Sequence, residues 1–186
     1  MKSSILKTLL TTSILASTAA MAADDPSATF VLEGYVPSTT PGTEFIITGV
    51  GGVADVSKGT LTINKEGVVT TSVPVLFEVR EYKAPAGSEE GAPKQPGEIA
   101  KVFDLNLVAV NMTAGSAAVD NSGNEVYLNA TKVEKGTLAR SVATQNAITF
   151  QNDAGFNIAD VGSGAAVQAS VVVMIENASM TPPGRG

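Results

Sequence analysis

The residue types that carry most enzyme chemistry are missing from this 186-residue sequence, which contains no cysteine and no histidine. Without cysteine there is no thiol nucleophile, no thiolate metal ligand and no disulfide. Without histidine there is no imidazole base for a catalytic triad and no histidine-dependent zinc site. The chemistry that remains is that of carboxylates, of a serine–lysine pair or of a threonine nucleophile.

The acidic and serine side chains show no spacing that is typical of catalysis. The carboxylates that a glycosidase-like pair could use are Glu78, Glu81, Glu89 and Glu90. No rule of spacing groups them, and the last two fall in a polar stretch that favours an exposed loop. Ser116 and Ser141 lie outside any G-x-S-x-G or S-x-x-K pattern. We therefore expect no catalytic residues, no enzyme activity and no cofactor.

One acidic segment, Asp120 to Glu125 (DNSGNE), places oxygen ligands at alternating positions, as a calcium loop does. An EF-hand loop needs glycine at its sixth position and an acidic residue at its twelfth. Here glycine is fourth (Gly123) and the twelfth residue is Thr131. The segment therefore favours a hairpin turn, and no metal site is expected.

The elements that would position any site read as β-strands. Apolar and polar residues alternate with period two, between clusters of Gly, Pro, Asn and Asp. The clearest alternating runs cover residues 28–36, 60–64, 73–80, 103–109, 126–130 and 167–176. Pro74 lacks a backbone N–H and marks an edge or a break, and residues 83–98, rich in Pro, Gly and Glu, predict an exposed loop. Seven to nine short strands predict an all-β sandwich, immunoglobulin-like or jelly-roll.

The last strand carries apolar residues on both faces. One face contains Val167, Ala169, Val171, Val173 and Ile175. The other contains Val172 and Met174, so the pattern predicts a strand that is covered on both faces. Residues 180–186 (MTPPGRG) cannot extend a strand and are predicted to form a tail.

The N-terminus has the pattern of a secretory signal peptide over residues 1–22. Lys2 and Lys7 give a positive start, an apolar run follows, and Ala20-Met21-Ala22 matches the cleavage pattern, so the cut is predicted between Ala22 and Ala23. The chain is therefore expected to be exported. The whole chain has a net charge of −6, and cleavage removes two lysines and no acid, leaving −8. Such a charge disfavours nucleic acid as a partner.

The segment after the predicted cleavage site resembles a known family. Thr29 to Ser38 (TFVLEGYVPS) is similar to the start of the cysteine-free major pilins of enterotoxigenic colonisation-factor fimbriae, which are chaperone–usher subunits. Gly59–Asn64, Ile148–Asn152 and the final valine-rich strand resemble later parts of the same pilins. The lack of cysteine agrees with this subgroup.

The resemblance implies an incomplete immunoglobulin-like sandwich that lacks its last strand and is completed by donor-strand exchange. A periplasmic chaperone would fill the groove first, and at the outer-membrane usher the N-terminal extension of the next identical subunit would replace it. Residues 23–33 would be that extension, with Ala28, Phe30 and Leu32 inserted, and residues 34–179 the pilin domain. The last strand would border the groove.

The resemblance therefore implies a major structural subunit of a surface fimbria that mediates adhesion to host cells, with a host receptor as a further partner. The residues leave other interpretations open. Residues 28–36 could be the edge strand of a self-contained sandwich, in which case the chain would be a secreted or minor fimbrial adhesin that binds glycan. A small hydrolase that uses carboxylates is a third alternative.

Overall fold

The protein is built from antiparallel β-strands. The structure, a computed structural model, describes residues 28–31, 44–161 and 165–182. These contain twelve strands and two short 3-10 turns and no α-helix. The strands are β1 (Ala28–Val31), β2 (Phe45–Thr48), β3 (Thr60–Ile63), β4 (Val69–Val73), β5 (Val75–Lys83), β6 (Gln95–Ile99), β7 (Val102–Ala114), β8 (Asn124–Leu128), β9 (Thr131–Val133), β10 (Leu138–Ser141), β11 (Asn146–Asn152) and β12 (Val167–Ser179). The predicted all-β fold is confirmed.

The strands form two sheets. The larger has nine strands in the order β1-β3-β4-β11-β5-β2, with β6 beside β5, β8 beside β11 and β9 beside β8. The smaller has three strands in the order β10-β7-β12. Its β7 and β12 are both thirteen residues long and pair along almost their whole length. β12 is an edge strand of this sheet. Among the described residues, no strand forms a ladder with its other side.

The core lies between the inner faces of the two sheets. Leu61 and Val69 of the larger sheet are fully buried, as are Leu105 and Ala114 of the smaller one. Phe77 and Phe103 join the sheets, with ring centroids 6.2 Å apart and a tilted arrangement. Since each strand alternates inward and outward residues, this one apolar layer accounts for the period-two pattern of the sequence.

Several boundaries differ from the sequence predictions. Seven to nine strands were too few, because β4, β9 and β10 are short and polar on one side. Residues 83–98 are not wholly a loop: Lys83 ends β5, and Gln95–Ile99 forms β6 at the sheet edge, where Pro96 is tolerated. Pro74 separates β4 from β5, so the predicted break is confirmed.

The two long strands of the smaller sheet, β7 and β12, each extend beyond their predicted C-terminal limit. β7 was expected over residues 103–109 and reaches Ala114. β12 was expected to end at Glu176 and continues to Ser179 through a register shift. Its extension is held by the main chain, since the backbone N–H of Lys101 donates to the carbonyl of Ser179 at 2.8 Å.

Candidate functional site

The most distinctive site is a gap between the two sheets, bounded by the edges of β3 and β12. β1 lies in this gap: it pairs with β3 in an antiparallel ladder and also lies beside β12. The register sets Ala28 opposite Ile63 and Phe30 opposite Leu61. Ile63 and Leu61 are both buried in the core. Thr29 and Val31 fall opposite Thr62 and Thr60 instead.

β3 therefore contributes alternating apolar and polar positions to the gap. Leu61 and Ile63 are buried, whereas Thr60 and Thr62 are half-buried. In an antiparallel ladder, directly opposite residues belong to the same face of the sheet. Positions 28 and 30 thus belong to the face that β3 turns toward the core.

β12 lies on the other side of the gap, and the five residues predicted to border the groove are on its core-facing side. Val167 and Ala169 are buried, and Val171, Val173 and Ile175 pack, partly buried, against the core cluster. The prediction that both faces of this strand are covered is wrong. Met174 on the opposite face is 48% exposed, because the outer side of a three-stranded sheet has no second layer over it in the described structure.

Three of the predicted site positions lie outside the described residues. These are Leu32, the third predicted donor residue, and Ala22 and Ala23 at the predicted cleavage site. The predicted donor extension, residues 23–33, is therefore described only over Ala28–Val31, through its backbone pairing.

A buried carboxylate that the sequence did not single out ties the three strands of the smaller sheet together. Asp104 on β7 is 5% exposed. It accepts hydrogen bonds from the guanidinium of Arg140 on β10, Nε to Oδ1 at 3.0 Å, and from the amide of Asn177 on β12 at 2.9 Å. Arg140, and then Asn177, hold the pKa of the Asp104 carboxyl below its usual value.

This arrangement fixes the groove-bordering strand to its neighbour. Asn177 has a positive φ of 49° at the register shift of β12, and that conformation directs its amide toward Asp104. No local sequence signal could reveal the cluster, since its three residues are spread over 74 positions and meet only through strand pairing.

The carboxylates considered for catalysis are engaged elsewhere. Glu78 is buried, and its Oε2 accepts from Nε of Arg80 at 2.7 Å. Burial raises the pKa of Glu78, but the Arg80 guanidinium and the backbone N–H groups of Gly51 and Gly52 lower it by more. A general acid needs a raised pKa to remain protonated near neutral pH, whereas the lowered pKa of Glu78 favours its ionised form. Glu89 and Glu90 lie in an exposed loop.

The other candidate residues have structural hydrogen bonds. Asp120 Oδ1 accepts from the backbone N–H and the hydroxyl of Ser122, and Asp120 thereby caps the 3-10 turn Asn121–Gly123. The predicted hairpin turn is wrong, because this turn leads from β7 of the smaller sheet to β8 of the larger one, and the two strands do not pair. Ser141 is buried and donates to Oδ1 of Asn146 at 2.6 Å. Over the described ranges, no group of three or more Asp or Glu residues is placed to hold a metal ion.

A separate shallow cleft of about 490 Å³ lies beside β2, β5 and the end of β12. It is lined by Glu44, Phe45, Glu81–Ala84, Lys94 and Ala178–Met180. The Nζ of Lys94 stands 5.9 Å from the centre of the Tyr82 ring, as in a cation–π contact. The cleft contains two acidic groups, Glu44 and Glu81, and two basic groups, Lys83 and Lys94. Glu81 forms an ion pair with Lys83.

In the part of the chain that the structure describes, no helix has the length and apolar character needed to cross a membrane. Comparison of the sequence with protein-family models and with curated proteins, and of the fold with solved structures, found no significant match.

Proposed function

We propose that this chain is the structural subunit of a surface fimbria, assembled head to tail by donor-strand exchange and serving adhesion. The observation that supports this most directly is the position of β1. An N-terminal strand lies in a gap between the edges of two different sheets, beside β3 and β12. The same segment carries the pilin-like sequence Thr29 to Ser38.

The physical argument starts from what the gap would expose without β1. The edge of β3 would lose its ladder partner, and buried Leu61 and Ile63 lie on that strand. Unpaired edges beside apolar side chains are prone to aggregation, so such a gap needs a strand at all times. In the proposed assembly a periplasmic chaperone supplies that strand first, and the next subunit supplies it in the fibre.

The register of β1 supports the choice of inserted residues. Positions 28 and 30 oppose the buried Ile63 and Leu61 of β3, and the alternate positions oppose threonines. Burial of a phenylalanine or leucine side chain contributes about 1.5–3 kcal/mol. Phe30 is therefore the residue whose change would weaken insertion most, followed by Leu32.

The chain length between the donor strand and the sandwich permits exchange. Twelve residues, 32–43, separate β1 from the first described residue of the sandwich. Twelve residues can span up to about 40 Å when extended, which is enough to reach a neighbouring molecule. Because the donor of one subunit and the groove of the next are different surfaces, the contact does not close and produces a filament.

The test is an unheated denaturing gel of material sheared from the surface of cells that carry the chain together with its chaperone and usher. A ladder of multiples that collapses to one band on boiling is expected. Phe30→Asp should abolish the ladder, because it places a charge opposite buried Leu61, whereas Thr29→Asp, opposite half-buried Thr62, should largely retain it. A single band that boiling does not change would reject the proposal.

Glycan binding by a self-contained adhesin is the second candidate function, and the cleft lined by Phe45 and Tyr82 is the observation that favours it. Aromatic faces beside charged hydrogen-bonding groups suit a saccharide. Against this, the Tyr82 ring is already engaged by the Lys94 ammonium group. Tyr82→Ala would abolish glycan-array binding if the cleft is the receptor site, and would leave the ladder intact.

A further inference from the structure

The outer face of the three-stranded sheet carries an apolar patch. Leu138 on β10, Val108 on β7 and Met174 on β12 are 44%, 41% and 48% exposed. Their neighbours along each strand point the other way, since Leu105, Leu107 and Ala139 belong to or pack against the core. We call Leu138, Val108 and Met174 the outer patch. Large apolar side chains grouped on one exposed sheet face favour an interaction surface.

The strand register arranges this face in two rows that cross all three strands. In the first row Leu138 is opposite Asn106, and Asn106 is opposite Met174. In the second row Arg140 is opposite Asp104, and Asp104 is opposite Glu176. The first row is therefore apolar at both ends. The second is positive at its β10 end and negative at its β12 end.

We propose that the outer patch binds the same patch of a second copy of this chain, through a two-fold axis parallel to β7. Such an axis keeps each residue at its height along the strands and exchanges the two sides of the sheet. β10 of one copy then lies over β12 of the other. Leu138 faces the partner's Met174, Arg140 faces the partner's Glu176, and Val108 meets its own counterpart near the axis.

Charge complementarity is what selects a second copy as the occupant. The Arg140 side chain is 64% exposed. Its Nε and Nη2 contact Asp104 at 3.0 and 3.5 Å, and its Nη1 remains accessible to a partner. Glu176 accepts from the Asn106 amide at 2.8 Å, which holds its carboxylate on the same face. The two-fold contact thus contains two pairs of opposite charges and three apolar pairs, two of Leu138 with Met174 and one of Val108 with Val108, as an isologous interface requires.

Face-to-face packing of this kind uses the outer face of the smaller sheet, opposite to the face that packs on the core. Two sheets can stack about 10 Å apart with their strands nearly aligned, which this symmetry allows. The patch involves three apolar residues from each copy, so the association should be weak and concentration-dependent. It also stops at two molecules, unlike the open head-to-tail assembly, and it does not require the proposed function.

Sedimentation velocity over a concentration series of the purified chain tests the proposal. We expect a monomer–dimer equilibrium that Leu138→Glu or Met174→Lys weakens at least tenfold. The double variant should restore dimerisation to within a few-fold of the wild type, because residue 138 of each copy then faces the opposite charge at position 174 of its partner. Within one molecule the two positions are separated by β7, so this rescue requires the intermolecular contact.

The matched control is Val73→Lys, which changes a 51% exposed valine on the larger sheet and should leave the equilibrium unchanged. Thermal unfolding of each variant shows whether it is folded. A chain that stays monomeric at every concentration, or a double variant as weak as the single ones, would overturn the proposal. The boiling-sensitive ladder should survive all of these changes, so failure of the dimer and failure of the filament are separate results.

Discussion

At the scale of single residues, Asp104 is the group whose ionisation matters most to the groove-bordering strand. It is buried and accepts from Arg140 and Asn177. Asp104→Asn removes the charge that both donors stabilise and should lower the free energy of unfolding by about 1–2 kcal/mol, since Arg140 is largely exposed and can be rehydrated. Urea denaturation at pH 7 measures this, with exposed Asp153→Asn as the control that should change little.

The pH dependence of the same variant follows from the sign of the shift. Arg140 and Asn177 lower the pKa of Asp104 in the folded state, so its stabilisation is fully present above the unfolded-state pKa of about 3.9. It is lost as the pH falls below that value through the folded pKa. The difference in unfolding free energy between wild type and Asp104→Asn should therefore shrink below about pH 4. A difference that stays constant at low pH would show that Asp104 does not titrate as described.

At the scale of elements, the loops at one end of the larger sheet meet through their backbones. Gly67, in the β3–β4 turn, has φ +82°, and a Cβ there would lie 1.9 Å from the carbonyl oxygen of Phe156. Gly67→Ala should therefore cost about 2–5 kcal/mol, from the left-handed conformation and the backbone overlap together. Gly136→Ala is the matched control, since its φ is +79° and no atom lies within 4 Å of the added Cβ.

The control isolates the conformational part of the cost, which should be about 1 kcal/mol. Equilibrium unfolding of both variants gives the difference. If Gly67→Ala proved no more costly than Gly136→Ala, the loop of Phe156 would not be packed against the β3–β4 turn as the structure has it.

The strands also show which strand limits alternation in the sequence predicts and which it misses. β12 was recognised because apolar and polar residues alternate from Val167 to Val171 and an apolar, β-branched run follows to Ile175. β7 was recognised only in part, because a register shift opposite Val172/Val173 changes which positions face inward. Leu105 and Leu107 are buried before it, and Met112 and Ala114 after it. A bulge of this kind breaks the period of two, so a rule based on alternation ends the strand too early.

At the scale of the whole molecule, composition and alternation were enough to predict an all-β sandwich, but not which strands belong to which sheet. That assignment depends on pairings between distant strands, such as β11 with both β4 and β5. The Asp104 cluster and the outer patch share this origin, since each joins residues from three strands. The donor segment, residues 23–33, was instead implied by the resemblance to pilins, and the local alternation around Phe30 only selected Ala28, Phe30 and Leu32 within it.

The pairing of β1 with β3 also provides a whole-molecule test of whether this strand stays in its own sandwich or fills that of a neighbour. Thr29 and Thr62 are directly opposite in the ladder, and the chain has no native cysteine. Opposite positions in an antiparallel pair have Cα separations that a disulfide can bridge. The variant carrying Thr29→Cys and Thr62→Cys therefore records, as a covalent bond, which molecule supplies the strand.

In an assembled filament we expect position 29 of one subunit to be bonded to position 62 of the next. Boiled, non-reduced samples of surface material should then give a ladder that a reducing agent collapses to the monomer, because the swapped strand makes the same contacts between molecules as it makes within one. Each single-cysteine variant should give no such extended ladder, since one cysteine can link at most two chains. A double variant that yields only a monomer with an internal disulfide would place β1 permanently in its own gap and would reject donor-strand exchange, while leaving the dimer through the outer patch to be judged on its own evidence.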